Sequence, residues 1–119
     1  MGLKAGWLML TTTLVLGAWA CQAPHPPPNV ADPDPQVKIA GMKQAVATRD
    51  RSVLPKLVES LESDDPAVRF FAIRSLEQFA GDRLGYEYYA DDDERKPAVA
   101  RWQSWLKGQD LPVRAAQEK

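Results

Sequence analysis

The densest cluster of side chains able to do chemistry is Asp91-Asp92-Asp93-Glu94, four consecutive carboxylates of the kind that hold hard cations. The run lacks the spaced oxygen donors and the glycine of a calcium loop. It stands directly before a helical pattern, where acids satisfy free amide groups and the positive end of the helix dipole. Asp64 and Asp65 stand in the same relation to the helix that follows them. Arg69 and Arg74 are of the type that recognises anionic partners. Phe70, Tyr86, Tyr88 and Tyr89 have the chemistry of interface anchors, while Trp102, Trp105 and Tyr86 also have the bulk to seal the end of a small core.

Other chemistry is sparse. One Cys excludes an intrachain disulfide, and one His beside it excludes the usual zinc sets and a Cys/His catalytic pair. No serine lies in a nucleophile motif and no glycine-rich loop could cradle a phosphate. The 119 residues carry 15 Lys and Arg against 16 Asp and Glu, a net charge of −1, which excludes a generic binder of nucleic acid. No catalytic residue, cofactor, metal or small-molecule substrate is expected. The expected partner-binding set is Phe70, Arg74, Tyr86, Tyr88 and Tyr89. The alternative is a metal-dependent or catalytic protein using Asp91 to Glu94.

The elements that must position these residues are all helical. Val37, Ile39, Ala40, Met42 and Val46 recur at mixed threes and fours, a first helix ending near Thr48. Ser52 has the type to cap a second helix, with Pro55 in its first turn and a stripe of Val53, Leu54, Leu57, Val58 and Leu61. Asp65 and Pro66 open a third helix that turns Val68, Phe71, Ala72, Leu76 and Phe79 inward and stops before Gly81. A fourth starts between Asp93 and Pro97, places Val99, Trp102, Trp105 and Leu106 on one side, and ends at Gly108. The fold class is all-α, four helices over residues 36–108, with a tail over 109–119.

Before the helices the chain reads as a targeting segment and a spacer. Lys4 precedes the uncharged stretch WLMLTTTLVLGAW, Trp7 to Trp19, and small residues lead to Cys21. Residues 1–20 therefore read as a signal peptide, although the uncharged run from Ala5 to Ala23 is nearly long enough for an uncleaved anchor. Residues 21–35 form a tether whose APHPPPNVADPDP stretch favours extended polyproline II. At about 3.1 Å per residue it holds the helices roughly 40 Å from their anchor. His25 sits inert within it.

Two resemblances follow from these residues. Ala18 to Cys21, with the apolar run before it, resembles the lipobox of bacterial lipoproteins, with Ala18 where Leu is commonest. That resemblance implies a lipid on Cys21 as the first mature residue, and Gln22 after it resembles an outer-membrane sorting signal. The location implied is the cell envelope, on the periplasmic face of the outer membrane where two membranes exist. The alternative is a chance Cys in an ordinary secretory signal. VLPKLVESLESDDPAVRFFAIRSLEQFAG, Val53 to Gly81, resembles a HEAT repeat, an antiparallel helix pair that needs neighbours to hide its second face. The first and fourth helices would supply those neighbours. The same resemblance implies that Arg69 pairs with the acids of the turn before it, and that the function is a noncatalytic scaffold or adaptor for an envelope protein.

Overall fold

The computed structural model describes Gly2 and residues 24–111. The signal segment, Cys21 and most of the tail over 109–119 lie outside the described residues. Those described form helices α1 (Pro35–Thr48), α2 (Leu54–Ser60), α3 (Pro66–Ala80) and α4 (Asp92–Lys107), with a 3₁₀ turn over Arg51–Val53 and, among these residues, no strand. None of the helices is long and apolar enough to cross a membrane.

Local signals account for the boundaries. Asp34 caps α1 by accepting a hydrogen bond from the Gln36 amide at 2.8 Å, and Asp65 caps α3 by accepting one from the Ala67 amide at 2.8 Å. Each is followed by proline, whose missing N–H costs nothing in the first turn. The α3 helix ends at Gly81 in the left-handed region, φ 78°. The second helix has no side-chain cap of its own, contrary to the sequence expectation for Ser52, and the cap lies on the 3₁₀ turn that leads into it. Asp50, not Ser52, accepts the amide hydrogen, from Ser52 at 3.0 Å, and the Ser52 hydroxyl also donates to Asp50. A carboxylate outcompetes the hydroxyl because it accepts both donors at once. The fourth helix begins at Asp92, before the expected span, so Pro97 lies inside it and removes one early backbone bond.

The helices pack in two layers: α1 lies against α3, α3 against α2, and α2 against α4. Leu54, Leu57, Leu61, Ile73, Leu76 and Met42 are fully buried between them, and Trp102 closes the α4 end with Trp105 stacked edge-on at 5.2 Å. On α1 the inward face differs slightly from the expected stripe. Gly41 and Ala45 are buried, while Ile39, Ala40 and Val46 are half-buried.

The reason is that α1 is covered on its outer side by the chain's own approach. The Asn29 amide donates to the Val37 carbonyl at 3.4 Å, and Val30 packs on the core. A Cβ at Gly41 would stand 2.5 Å from the Val30 nitrogen and 2.6 Å from the Asn29 carbonyl carbon. Only glycine admits that approach. At the other end Leu111 packs on the core and Gln109 is bonded to Arg51 and to the Trp105 carbonyl, so packing extends beyond residues 36–108 on both sides.

Gly41→Ala raises helix propensity by about 1 kcal/mol yet drives a methyl into backbone. The expected outcome is release of residues 28–32, read as faster amide exchange and new proteolytic cuts there, with helical circular dichroism unchanged or stronger. Unchanged protection of this segment in the variant would contradict the contact.

Candidate functional site

Between α3 and α4 runs an eleven-residue loop, residues 81–91, with no regular structure. Its backbone carbonyls need partners, and four long side chains supply them. Trp102 Nε1 donates to the Arg83 carbonyl at 2.9 Å and Arg101 Nε to the Leu84 carbonyl at 2.7 Å. Arg69 Nε donates to the Tyr88 carbonyl at 2.9 Å and Arg95 Nη1 to the Ala90 carbonyl at 3.0 Å. Two successive left-handed residues, Leu84 at φ 53° and Gly85 at φ 75°, reverse the chain and aim the next ring inward.

That ring is Tyr86. It is fully buried, and its hydroxyl donates to the Leu61 carbonyl at the end of α2. Tyr86 therefore holds the loop to the core and does not face a partner, which removes it from the expected binding set. Burial pushes its phenol above the ordinary value, against the opposing charges of Arg95 and Arg69.

Arg69 also departs from expectation. Its side chain is buried, and its Nη1 donates to the carbonyls of Ser63 at 2.7 Å and Asp64 at 3.0 Å. It binds backbone oxygens and not the turn carboxylates, because Asp65 is already turned to the α3 amides. One guanidinium thus ties the α2–α3 turn to the α3–α4 loop.

The loop presents an aromatic ridge. Phe70 stacks edge-on against Phe71 at 5.2 Å and against Tyr88 at 5.1 Å, and Tyr88 against Tyr89 at 5.2 Å. Phe70, Phe71 and Tyr88 are half-buried, whereas Tyr89 is 71 % exposed, the single exposed large hydrophobic residue among those described. Tyr88 and Tyr89, alike in sequence, divide the work of packing and display. Arg74 lies one helical turn after Phe70 on α3, exposed and paired with Glu77 at 3.3 Å.

The acidic run lies at the start of α4 beside basic neighbours. Asp91 opens α4, and Asp92, Asp93 and Glu94 occupy its first turn. Asp92 meets Arg95 at 3.3 Å and Lys96 at 3.0 Å, and Asp93 meets Lys96 at 3.3 Å. Hydrogen bonding to Lys96 holds the Asp92 carboxyl below its ordinary value, and the same bonds raise Lys96. Among the described residues no three His, Cys, Asp or Glu gather to hold a metal ion.

With two helix layers and a turn-capped central pair on view, the comparison with known families becomes informative: the HEAT repeats family matches residues 29–116. The chain belongs to the HEAT-repeat family. No curated protein and no solved structure matches it. HEAT repeats generally mediate protein–protein interaction and typically act as noncatalytic scaffolds. In this HEAT unit the matched span starts at Asn29, the residue that docks on α1. Sequence reasoning missed the cleft between α1 and α3, lined by Lys43, Val46, Phe71, Arg74, Ser75 and Gln78. Its one available signal was the placement of Lys43 on α1 at the position Arg74 holds on α3, each the ninth residue after its capping aspartate.

Arg69→Met should lower stability by about 3 kcal/mol, because three buried carbonyl bonds lose their donor, and Arg69→Lys should recover only part of it. Tyr86→Phe leaves the Leu61 carbonyl unpaired at a cost of about 1–3 kcal/mol. The raised phenol also gives a pH signature. The unfolded chain releases the Tyr86 proton at the ordinary value and the folded chain only higher, so stability is intact below about pH 10 and falls as pH rises through the folded value. Thermal melts between neutral and strongly alkaline pH should show this loss in the native chain and less of it in Tyr86→Phe. Parallel alkaline curves would contradict the assignment.

Proposed function

We propose that this HEAT unit is a noncatalytic protein-interaction module of the bacterial cell envelope, held by a lipid on Cys21 and docking a protein partner on the ridge of Phe70, Tyr88 and Tyr89. The observation that carries the docking half is Tyr89. An aromatic ring 71 % exposed on a loop pinned at four carbonyls is a rigid anchor already in its bound orientation, so little ordering entropy opposes binding. Family membership supports a protein as the partner. The anchor half rests on the apolar run, the small residues and Cys21 in the sequence. The tether and the charge balance accord with a module that meets its partner at a membrane surface without binding lipid headgroups or nucleic acid itself.

Tyr89→Ser removes a ring that little covers, so the melting curve should stay within about 0.5 kcal/mol of the native one. Capture of the envelope protein that crosslinks to the native chain should drop severalfold. Unchanged capture at unchanged stability would overturn the ridge as the docking site. For the anchor, Cys21→Ala should release the protein from the membrane fraction or leave a precursor, since stable anchoring takes more than one acyl chain and this is the residue that would carry them. Mass spectrometry showing a free thiol at Cys21 of the membrane-bound mature protein would overturn it.

A further inference from the structure

A second surface of this molecule has a chemistry of its own. The cleft of about 260 Å³ between α1 and α3 is lined by Lys43, Val46, Phe71, Arg74, Ser75 and Gln78. It continues into a smaller one of about 110 Å³ lined by Val46, Arg49, Gln78 and Phe79, the two sharing Val46 and Gln78. The floor is apolar and aromatic. The rim is basic, and no carboxylate lines either cleft.

The basic groups are arranged in register. Lys43 and Arg74 hold equivalent positions on two neighbouring helices, and both line the cleft. Neighbouring helix axes are about 8–10 Å apart. An extended chain in polyproline II geometry rises about 3.1 Å per residue with three residues per turn, so carboxylates three residues apart share one face and match that spacing. Lys43 stands 4.7 Å over the Phe71 ring, and Arg74 shares Glu77 with Arg83, whose contacts are 3.3 Å and 3.4 Å. An exposed pair of that kind is weak and is readily exchanged for a better acceptor. Arg49 is exposed at the far end.

We propose that this groove binds an extended acidic segment of a protein partner, carboxylates about three residues apart on Lys43 and Arg74, with an apolar side chain between them on Val46 and Phe71. The proposal rests on the reading of the chain as a protein-interaction module, but not on Tyr89.

The test uses the full chain and a fluorescein-labelled peptide with glutamates three residues apart and leucines between, followed by fluorescence anisotropy. Saturable, salt-sensitive binding is expected, and a lysine-for-glutamate version of the peptide should not bind. The combined variant Lys43→Gln, Arg49→Gln, Arg74→Gln should weaken binding at least about tenfold with an unchanged melting temperature. Lys56→Gln with Lys96→Gln and Lys107→Gln, on the α2 and α4 layer, should leave it intact, as should Tyr89→Ser. Any of these results would overturn the proposal: no saturation by the glutamate peptide, equal binding by the first triple variant, equal weakening by the second, or binding to equimolar phosphatidylcholine–phosphatidylglycerol vesicles that requires the same three residues. Loss of binding in Tyr89→Ser alone would assign the acidic segment to the ridge and overturn the groove.

Discussion

The arrangement of this molecule turns on one buried cation without a buried anion. A guanidinium is a permanent cation, and the surroundings of Arg69 offer it carbonyl dipoles from Ser63, Asp64 and Tyr88 in place of a carboxylate. Burying a charge is costly unless it is fully hydrogen-bonded, so the turn before α3 and the loop after it must both be in place for the fold to tolerate this side chain. Two irregular segments, the turn at Ser63 and Asp64 before Arg69 and the loop at Tyr88 nineteen residues after it, are thereby made to form together. Tyr86 extends the same logic to α2, joining the loop to the Leu61 carbonyl from below. Among the described residues no buried side-chain nitrogen or oxygen lacks a partner.

A single HEAT helix pair leaves two flanks that neighbouring repeats would cover in a longer array. Here each flank of the α1–α3 layer has a different substitute. On the α3 side, Tyr88 packs edge-on against Phe70, and Arg69 fixes its backbone. On the α1 side, Asn29 and Val30 lie directly on Gly41. Both substitutes are loop segments, which bury less apolar surface than a helix but can follow a curved flank. Display of Tyr89 comes from the same arrangement, because Tyr88 and Tyr89 form the centre of the turn that the Ala90 amide closes on the Glu87 carbonyl, with Tyr88 packed on Phe70 and Tyr89 edge-on against Tyr88 at the exposed side.

Much of this was legible in the sequence because it depends on neighbours in the chain. The stripes of α2 and α3, the Asp65-Pro66 start and the Gly81 stop are all local devices, and the HEAT pattern follows from them. The Asp34-Pro35-Gln36-Val37 start of α1 repeats Asp65-Pro66-Ala67-Val68 and would have given its boundary. Other features depend on distant partners. Arg69 carries no sign that it would choose carbonyls over the adjacent acids, since that choice was made by Asp65 committing to the α3 amides. Nor do Tyr88 and Tyr89 differ in type. The Arg69 bond to the Tyr88 carbonyl, the turn closed by Ala90 on Glu87 and the stack of Tyr88 on Phe70 set which ring packs and which is displayed. Gly41 reads as a weak point in a helix until the backbone lying on it is known.

The docking of Asn29 and Val30 has a geometric consequence for a domain held through Cys21. A leash that ended at the start of α1 would let the helices range as far as all its residues allow. Under the proposed anchor the leash would instead stop where Asn29 is bonded to the Val37 carbonyl, eight residues after Cys21, a reach of about 25 Å were it in polyproline geometry. Attachment at the side of α1, not at its tip, also fixes a bearing. With the proposed anchor at Cys21, the Gly41 side of the domain would be the side turned back toward the point of attachment, and bringing it outward would require peeling Asn29 and Val30 from the helix.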